Sequence, residues 1–422
     1  MIRTRHLLVL STFLLSVLLY VDRVCISAAK GAIGRDLDLS DTQMGWVLSA
    51  FALGYALCQT PSGILADRMG PRRTLSIVVV LWSLFTGLTA TAWNLVAMLV
   101  VRFLFGAGEA GAFPGIARAT YSWIPMQERG LVQGVNFSGS RIGAACALPL
   151  MALAIDRFGW RSSFVALMLI GFGWSVVWYR WFRDDPADHI GISENERNYI
   201  LANRQPQQTR DATDMSAGRP SFARLLASRN VWLISSQYFS SNFTFFFCLT
   251  WLHPHLKKTF ELNSVEAGIY ASVPFLCGAA GNWFAGWLVD RVYQAGRWAA
   301  SRRTPAAIGF VLAAIGVIGC AYAKTPLVSV AWLSLAVFGA DMTLAPSWSF
   351  CIDIGRSNAG MVSGTMNMAG NIGSFVTGLA FPYLAAWSGS YLPFFFVAAG
   401  LNIAAIAAWY LVDPQQPVEA EL

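Results

Sequence analysis

Charged residues are scarce in this sequence, and motifs typical of enzymes are missing. Only 13% of the 422 residues are charged and 55% are hydrophobic, with a mean hydropathy of +0.50. A water-soluble globule cannot bury so much apolar surface, so the ordinary soluble classes are excluded. The sequence contains no H-E-x-x-H, no G-x-S-x-G and no Walker loop, which argues against a membrane enzyme and against a pump driven by ATP. We expect no cofactor.

The patterns of cysteine and of charge exclude two further classes. The seven cysteines stand singly in apolar stretches without a C-x-x-C spacing, so we predict neither a disulfide framework nor a metal site. The net charge of +7 does not indicate a nucleic-acid partner. The basic residues lie in short segments between apolar runs, where membrane topology explains them.

Apolar runs long enough to cross a bilayer as helices are abundant. Twelve runs of about 18–25 residues lie at 7–29, 43–65, 74–93, 95–117, 131–153, 162–182, 230–253, 266–289, 304–323, 327–351, 359–384 and 390–411. The first run is too long for a cleaved signal peptide, so we retain it as a span. The predicted fold class is an all-α membrane protein with twelve transmembrane helices.

Basic residues concentrate in the segments that follow even-numbered spans. Arg68, Arg72 and Arg73 follow the second span, and Arg302 and Arg303 follow the eighth. The positive-inside rule therefore places both termini and the long middle segment in the cytoplasm. We expect a monomeric, multi-pass protein of the inner (cytoplasmic) membrane, surrounded by the lipid bilayer.

The spans fall into two groups of six that resemble each other. We predict a first six-helix half over 1–183, a cytoplasmic middle loop over 184–229 and a second half with a short tail over 230–422. Internal repetition supports this division, because GILADR, starting at Gly63, recurs as GWLVDR, starting at Gly286, after the second span of each half. Such a duplication favours a substrate site near the bilayer midplane, between halves that open alternately to each side.

Charged residues inside the spans indicate a candidate site. The first span carries Tyr20, Asp22 and Arg23 near its middle, and the fourth carries Arg102 and Glu109. An ionised group within hydrocarbon costs about 2.5–3.5 kcal/mol on insertion scales, so we interpret these residues as functional. Seven residues make nearly two helical turns, which puts Arg102 and Glu109 on one face. The alternative is an Asp22–Arg23 pair that only holds two helices together.

Arg141, in the fifth span, is the sharpest candidate for binding a substrate carboxylate, which an arginine holds through two parallel hydrogen bonds. The repeat pairs it with Asn371, whose amide suits hydroxyl groups. A structural pair of Arg141 with a buried acid such as Asp341 is the alternative. Further predicted substrate contacts are Gln237, Tyr238, Asn242, Ser347 and Asn367.

Charge balance within the spans suggests how a substrate is coupled to an ion. Arg23, Arg102 and Arg141 would be balanced by Asp22, Glu109 and Asp341. An entering anion would then favour protonation of one acid, which amounts to symport of anion and proton. Sodium coupling stays open. We interpret the glycines between and after Arg102 and Glu109, which are Gly106, Gly108 and Gly111, as a face for close helix packing.

Two sets of motifs carry a family resemblance. GILADRMGPRRT, with its weaker copy GWLVDRVYQAGR, is similar to the cytoplasmic loop motif of the major facilitator superfamily, and the likeness extends over the whole chain. For Arg72 and Arg73, positive-inside topology alone is the alternative. The gating residues that this resemblance implies are Asp67, Arg68, Arg72, Asp290 and Arg291.

YVDR in the first span, GYALCQTPSG in the second and RFLFGAGEAGAFPG in the fourth resemble the anion:cation symporter family. That family includes bacterial D-galactonate and hexuronate proton symporters and the sialic-acid and vesicular glutamate carriers. The resemblance implies proton coupling at Asp22 and Glu109. It implies substrate or gating contacts at Arg23, Tyr55 and Arg102.

The resemblance implies proton-coupled uptake of an organic carboxylate, such as a hexonate, hexuronate or aldarate. Related sugar-acid symporters have a polar uncharged residue near Arg141, so this arginine favours a second carboxylate or an aromatic acid. An organic-anion or organic-phosphate exchanger is the alternative, since it also uses paired arginines. A drug/proton antiporter on the same fold is less favoured, because it would use acidic residues with few buried arginines.

Overall fold

The described part of the chain is helical and contains no strand. A computed structural model describes residues 3–205 and 225–418. Its helices are α1 (Thr4–Asp36), α2 (Asp41–Met69), α3 (Pro71–Thr89), α4 (Leu95–Glu109), α5 (Ala112–Trp123), α6 (Arg129–Trp181), α7 (Glu194–Asn203), α8 (Arg229–Thr250), α9 (Leu252–Phe260), α10 (Ser264–Gln294), α11 (Trp298–Ala321), α12 (Pro326–Met342), α13 (Leu344–Gly355), α14 (Ala359–Ser388) and α15 (Leu392–Leu411).

These helices account for the twelve predicted spans, and the predicted fold class is confirmed. Three spans are broken into two helices, namely α4–α5, α8–α9 and α12–α13. The long α6 holds two spans, which are separated at Gly159, where φ is 78° and only glycine is unstrained. Among the described residues, six segments, including α1, α11 and α15, are apolar enough to cross a membrane on length and composition alone.

Two of the broken spans stop beside the acids that the sequence places inside them. α4 ends at Glu109, before Ala110 and Gly111, and α12 ends at Met342, one residue after Asp341. The C-terminus of a helix carries partial negative charge, so a carboxylate there is disfavoured. The stability of the helices therefore does not explain why Glu109 and Asp341 lie at these positions.

Glycines bring the backbones of α2, α3 and α4 close together. A methyl group on Gly106 would lie 2.1 Å from the carbonyl oxygen of Phe51, and one on Gly54 would lie 2.1 Å from that of Phe103. A methyl group on Gly111 would lie 2.7 Å from an α3 side chain. The interpretation of these glycines as a packing face is confirmed, and the packing holds α4 directly against α2.

Two compact units can be distinguished. Unit 1 consists of 1–125, 139–204 and 357–364, and unit 2 consists of 126–138, 205–356 and 365–422. Apolar side chains around Met98 and Phe164 form a core in unit 1, and others around Leu333 and Phe394 form a core in unit 2. The division into two halves joined by a loop over 184–229 stays a prediction, and residues 206–224 of that loop lie outside the described residues.

The described start of that loop is attached to unit 1 through two acids. α1 and α3 have no capping side chain of their own. Glu196 of α7 accepts hydrogen bonds from the backbone N–H groups of Thr4 and Arg5, at 2.8 and 3.0 Å. Asp184 accepts one from the N–H of Arg72, at 2.8 Å. Free N–H groups at a helix N-terminus favour carboxylates, so these acids fix the starts of α1 and α3.

Candidate functional site

The partly buried Arg23 of α1 forms an ion pair with the fully buried Glu109 of α4. Nε of Arg23 donates to Oε1 of Glu109, whose side chain is completely buried. The guanidinium carbon of Arg23 also lies 5.0, 5.4 and 4.3 Å from the ring centres of Tyr20, Phe51 and Tyr55. Such cation–π contacts stabilise a guanidinium away from water. The structure therefore brings Arg23, Tyr55 and Glu109 into one site, as their predicted roles require.

Asp22 lies in the same cluster without a hydrogen bond. Both of its carboxyl oxygens are buried and have no hydrogen-bond partner within the described residues. Glu109 and Arg102 are the charged groups that act electrostatically on this carboxyl. The guanidinium of Arg102 lies over the ring of Phe105, at 4.3 Å, and its Nε and Nη1 are likewise unbonded in the described chain. The alternative of a self-neutralising Asp22–Arg23 pair is wrong, since Arg23 is bonded to Glu109.

The predicted substrate contacts outside this cluster are divided between the two units. Arg141 is buried in α6 and belongs to unit 1. Asn367 and Asn371 lie on α14 in unit 2, where the amide of Asn371 donates to the carbonyl of Asn367 at 2.8 Å. Asn242 similarly donates to the backbone carbonyl four residues before it, at 3.0 Å. Their roles in binding stay predictions.

Gln237 and Ser347 lie in one buried hydrogen-bond network of unit 2. Oε1 of Gln237 accepts from Trp409 Nε1 at 3.1 Å and from Ser347 Oγ at 3.3 Å. The Tyr238 hydroxyl accepts from Trp348 Nε1 at 3.0 Å. A substrate that bound these groups would first have to break these bonds. Their predicted role in binding is untested, and a packing role accounts for the contacts that they make.

The acid of the first repeated motif caps a distant helix. Asp67 accepts the backbone N–H groups of Gly360 and Met361 at 2.8 and 2.7 Å, at the start of α14. Nε of Arg118 lies 3.9 Å from the same carboxylate. A methyl group on Gly63 would lie 2.1 Å from the carbonyl oxygen of Gly360. Close packing at the glycine thus brings the carboxylate to the helix start.

The acid of the second motif does the same at another helix. Asp290 accepts the backbone N–H groups of Gly130 and Leu131, both at 2.8 Å, at the start of α6. Asp290 is buried, so these two N–H groups replace the water that would otherwise solvate its carboxylate. The two repeated motifs therefore perform the same structural task, with Asp67 and Asp290 in equivalent places.

The basic residues of the two motifs have different environments. Arg68 and Arg291 are exposed. Arg72 lies over the ring of Tyr179, at 4.5 Å, and its Nε donates to the carbonyl oxygen of that residue at 2.9 Å. Topology alone is sufficient to explain the two exposed arginines.

Sequence reasoning missed a buried charge cluster in unit 2. Asp353 accepts from Nη1 of Arg129 at 2.6 Å and from Nε of Arg302 at 2.8 Å, and all three side chains are fully buried. Gln205 adds bonds to Arg129 and to the carbonyl of Asp353, at 2.9 and 2.8 Å. The available signal was an acid two residues beyond the predicted end of the tenth span. Its partners lie too far along the chain to be inferred.

Within the described residues, no group of three or more His, Cys, Asp and Glu side chains is arranged to hold a metal ion. The groups that the site contains are arginines, carboxyl groups and aromatic rings. Arginines bind anions, and buried carboxyl groups exchange protons. The arrangement is suited to binding an anion and a proton in the same place.

Known proteins similar to this chain identify its family. The family model of the Major Facilitator Superfamily matches residues 12–378. A "probable sulfoacetate transporter" of Cupriavidus necator is 31% identical over 412 residues, covering 97% of this chain and 94% of that protein. A "probable galactarate/D-glucarate transporter" of Escherichia coli K12 is 30% identical over 405 residues, covering 91% of this chain and 89% of that protein.

The fold is also that of a solved transporter. The structure of the proton:xylose symporter XylE is similar with a TM-score of 0.78 and 15% sequence identity, over 98% of this chain and 97% of that chain. At this identity the likeness concerns the fold. The resemblance drawn from the GILADR and YVDR motifs is confirmed: this chain belongs to the Major Facilitator Superfamily and is an integral membrane transporter, not an enzyme.

Proposed function

We propose that this protein takes up an organic carboxylate together with protons, by alternating access across the inner (cytoplasmic) membrane. The observation that carries the proposal is the ion pair of Arg23 with the fully buried Glu109, beside the unbonded Asp22 carboxyl. An anion site and two proton-binding groups thus occupy one cluster. The proposed transporter works as a monomer with both termini in the cytoplasm, as the positive-inside pattern indicates.

Glu109 is bonded to Arg23, the arginine to which an anionic substrate would bind. A substrate carboxylate that reaches Arg23 competes with Glu109 for the same guanidinium. Glu109 is fully buried, so once displaced it is costly as an anion and is neutral when it takes up a proton. One proton is bound for each Glu109 released, and departure of the substrate reverses both steps. Asp22 supplies a second group that binds or releases a proton.

The substrate class follows from the number of arginines. The guanidinium carbons of Arg23 and Arg102 both lie 5.4 Å from the ring centre of Phe51, and Arg102 keeps Nε and Nη1 unbonded within the described residues. We assign these two arginines to a first anionic group and Arg141 to a second. Sulfoacetate and galactarate, after which the two relatives are named, each carry two acidic groups. We therefore propose a sugar acid with two acidic groups, or a small organic acid of similar charge, and Asn367 and Asn371 would serve its hydroxyls.

We assign Asp67 and Asp290 to a gate on the cytoplasmic side. Each carboxylate accepts two backbone N–H groups at a helix start. Opening that side would break four charge-assisted hydrogen bonds. We propose that this set of bonds favours the closed cytoplasmic side until the substrate and proton are bound.

An exchanger of organic anions or organic phosphates is the second candidate. The Arg23–Glu109 pair itself favours it, because Glu109 could return to Arg23 as a fixed counter-ion without carrying a proton. A drug/proton antiporter is less favoured, because a cationic substrate gains nothing from Arg23, Arg102 and Arg141.

Thermal stabilisation of the purified protein identifies the substrate, because a ligand that binds the folded state raises its stability by mass action. The panel contains D-glucarate, glucuronate, D-galactonate, sulfoacetate, an aromatic acid, a sugar phosphate and a cationic drug. Uptake of the stabilising compound into proteoliposomes is then measured with and without an imposed pH gradient. Accumulation that needs the gradient supports symport; exchange that ignores it, or stabilisation by the cation alone, contradicts the proposal.

A further inference from the structure

The buried cluster around Asp22 contains a hydrogen-bond donor that the mechanism above does not use. Trp82 lies in the middle of α3 and is fully buried. Its indole N–H has no hydrogen-bond partner within the described residues. A buried indole N–H is normally bonded, since leaving it unbonded costs roughly 1–3 kcal/mol. An unbonded donor inside a transport site therefore calls for a functional explanation.

Close packing of α3 on α4 places Trp82 beside the proton sites. A methyl group on Gly108 would lie only 3.3 Å from the backbone nitrogen of Trp82. Glu109 follows Gly108 in the chain, so the contact lies at the level of the buried acids. Trp82 is the neutral hydrogen-bond donor among the groups that act on the Asp22 carboxyl, whose two oxygens are unbonded in the same part of the chain.

A buried, unbonded donor and two buried, unbonded acceptors therefore belong to one cluster. Hydrogen bonds in catalytic sites are often long before the reacting state is reached, and they shorten in that state. A bond between the two residues would satisfy the Trp82 N–H and one Asp22 oxygen together.

Neither arginine of the cluster donates to the Asp22 carboxyl. Arg23 donates to Glu109 instead, and Arg102 makes no hydrogen bond to Asp22. The charged and titratable groups that face Asp22 or its neighbours from α1, α2 and α4 are Tyr20, Arg23, Cys25, Tyr55, Arg102 and Glu109.

We propose that Trp82 is a positioning residue for the proton site, whose N–H donates to the Asp22 carboxylate when Asp22 has lost its proton. The inference rests on the proposed proton coupling through Asp22. A hydrogen bond to a carboxylate is roughly twice as strong as one to a neutral group. Trp82 therefore favours release of the proton from Asp22, and it does so without adding a charge to the membrane interior.

Thermal unfolding at acid and alkaline pH tests this pairing without any substrate. Trp82→Phe removes the N–H and keeps an aromatic ring. It is expected to lower Tm by about 2–4 °C more at alkaline than at acid pH, because only ionised Asp22 loses a strong bond. In the Asp22→Asn background, Trp82→Phe is expected to lower Tm equally at acid and alkaline pH.

Trp178→Phe is the matched control. Trp178 is buried in the same unit and donates to the carbonyl oxygen of Pro71, at 3.4 Å. Because a backbone carbonyl does not titrate, the fall in Tm caused by Trp178→Phe is expected to be equal at both pH values. Should Trp82→Phe not fold, 3-benzothienylalanine at position 82 retains the indole shape and lacks only the N–H.

A loss of Tm that is the same at both pH values, or a pH-dependent loss that persists in the Asp22→Asn background, would overturn the assignment. In proteoliposomes loaded with D-glucarate, Trp82→Phe is further expected to move the pH profile of uptake to more alkaline pH and to leave exchange unchanged. The unfolding result needs no transport. Failure of the symport proposal and failure of the Trp82 proposal are therefore distinguishable.

Discussion

Nε of Arg23 donates to the carboxylate of Glu109 across the contact between α1 and α4, in a site where Glu109 has no exposure to water. The two residues are 86 positions apart in the chain. Their contact depends on glycines that let α4 approach α2, and on the aromatic rings that surround the guanidinium.

Glu109→Gln is expected to abolish accumulation driven by a pH gradient while leaving substrate exchange in place. The amide keeps the size of the side chain and a hydrogen-bond acceptor for Arg23, but it cannot bind and release a proton. Uptake and counterflow in proteoliposomes measure the two activities separately. Glu194→Gln, at an exposed site on α7, is the control; continued uphill uptake by Glu109→Gln would remove Glu109 from the coupling mechanism.

Arg102→Ala and Arg141→Ala are each expected to weaken carboxylate binding by about 2 kcal/mol or more, near thirtyfold in Kd. Each loses a guanidinium that is buried in the spans. Arg141→Lys is expected to fall between the alanine variant and the parent, because lysine keeps the charge and loses the two parallel bonds. Calorimetric titration gives the affinities, with the exposed Arg157→Ala as control. Unchanged affinity in either alanine variant would contradict its role in binding.

Gly63→Ala is expected to destabilise the protein by about 1–3 kcal/mol. The added methyl would lie 2.1 Å from the carbonyl oxygen of Gly360 and would push Asp67 away from the start of α14. Gly173→Ala is the matched control, because a methyl there meets nothing within 4 Å. Thermal unfolding compares the two. Equal Tm values would contradict this prediction, because they would mean that the backbone at Gly63 moves enough to accommodate the methyl group.

Asp353→Asn is expected to cost about 3–5 kcal/mol, the typical effect of removing one partner of a buried ion pair. The change leaves Arg129 and Arg302 charged and fully buried. Thermal unfolding and expression in the membrane measure the loss, with the exposed Asp188→Asn as control. A near-neutral effect would show that water reaches the two arginines.

His189 is expected to make stability depend on pH in the mildly acid range. Burial, and secondly the charge of Arg183, lower the pKa of this imidazole from its ordinary 6.5. Its Nδ1 accepts the N–H of Gly191 at 3.1 Å, and its ring packs edge-on against Trp123. The unfolded chain therefore binds a proton at higher pH than the folded chain, so stability falls as pH drops below 6.5.

His189→Gln tests this sign, because glutamine does not titrate. A series of Tm values across the acid range is expected to show a shallower decline for the variant than for the parent. At neutral pH and above, the two curves should run parallel. A steeper decline in the variant would contradict the assignment, since the depressed pKa of His189 would then not be a source of the acid sensitivity.

The spans and the residues placed inside them could be predicted because they depend on local composition. A run of apolar residues with the length of a bilayer forms a helix wherever it lies, since lipid leaves the backbone no other partner. Asp22, Arg23, Arg102 and Glu109 stand out for the same reason. The two GxxxDR motifs revealed the duplication because the same residues recur at the same spacing after the second span of each half.

The partners of these residues were decided only by the tertiary structure. Arg23 is next to Asp22 in the chain, yet it bonds to Glu109. Asp353 joins two arginines that lie 224 and 51 positions away. Which side chains meet depends on the rotation and depth of each helix, and these are set by contacts of a few ångströms between backbones, such as that of Gly106 with Phe51. Hydropathy determines that a helix crosses the membrane, whereas packing determines what it faces.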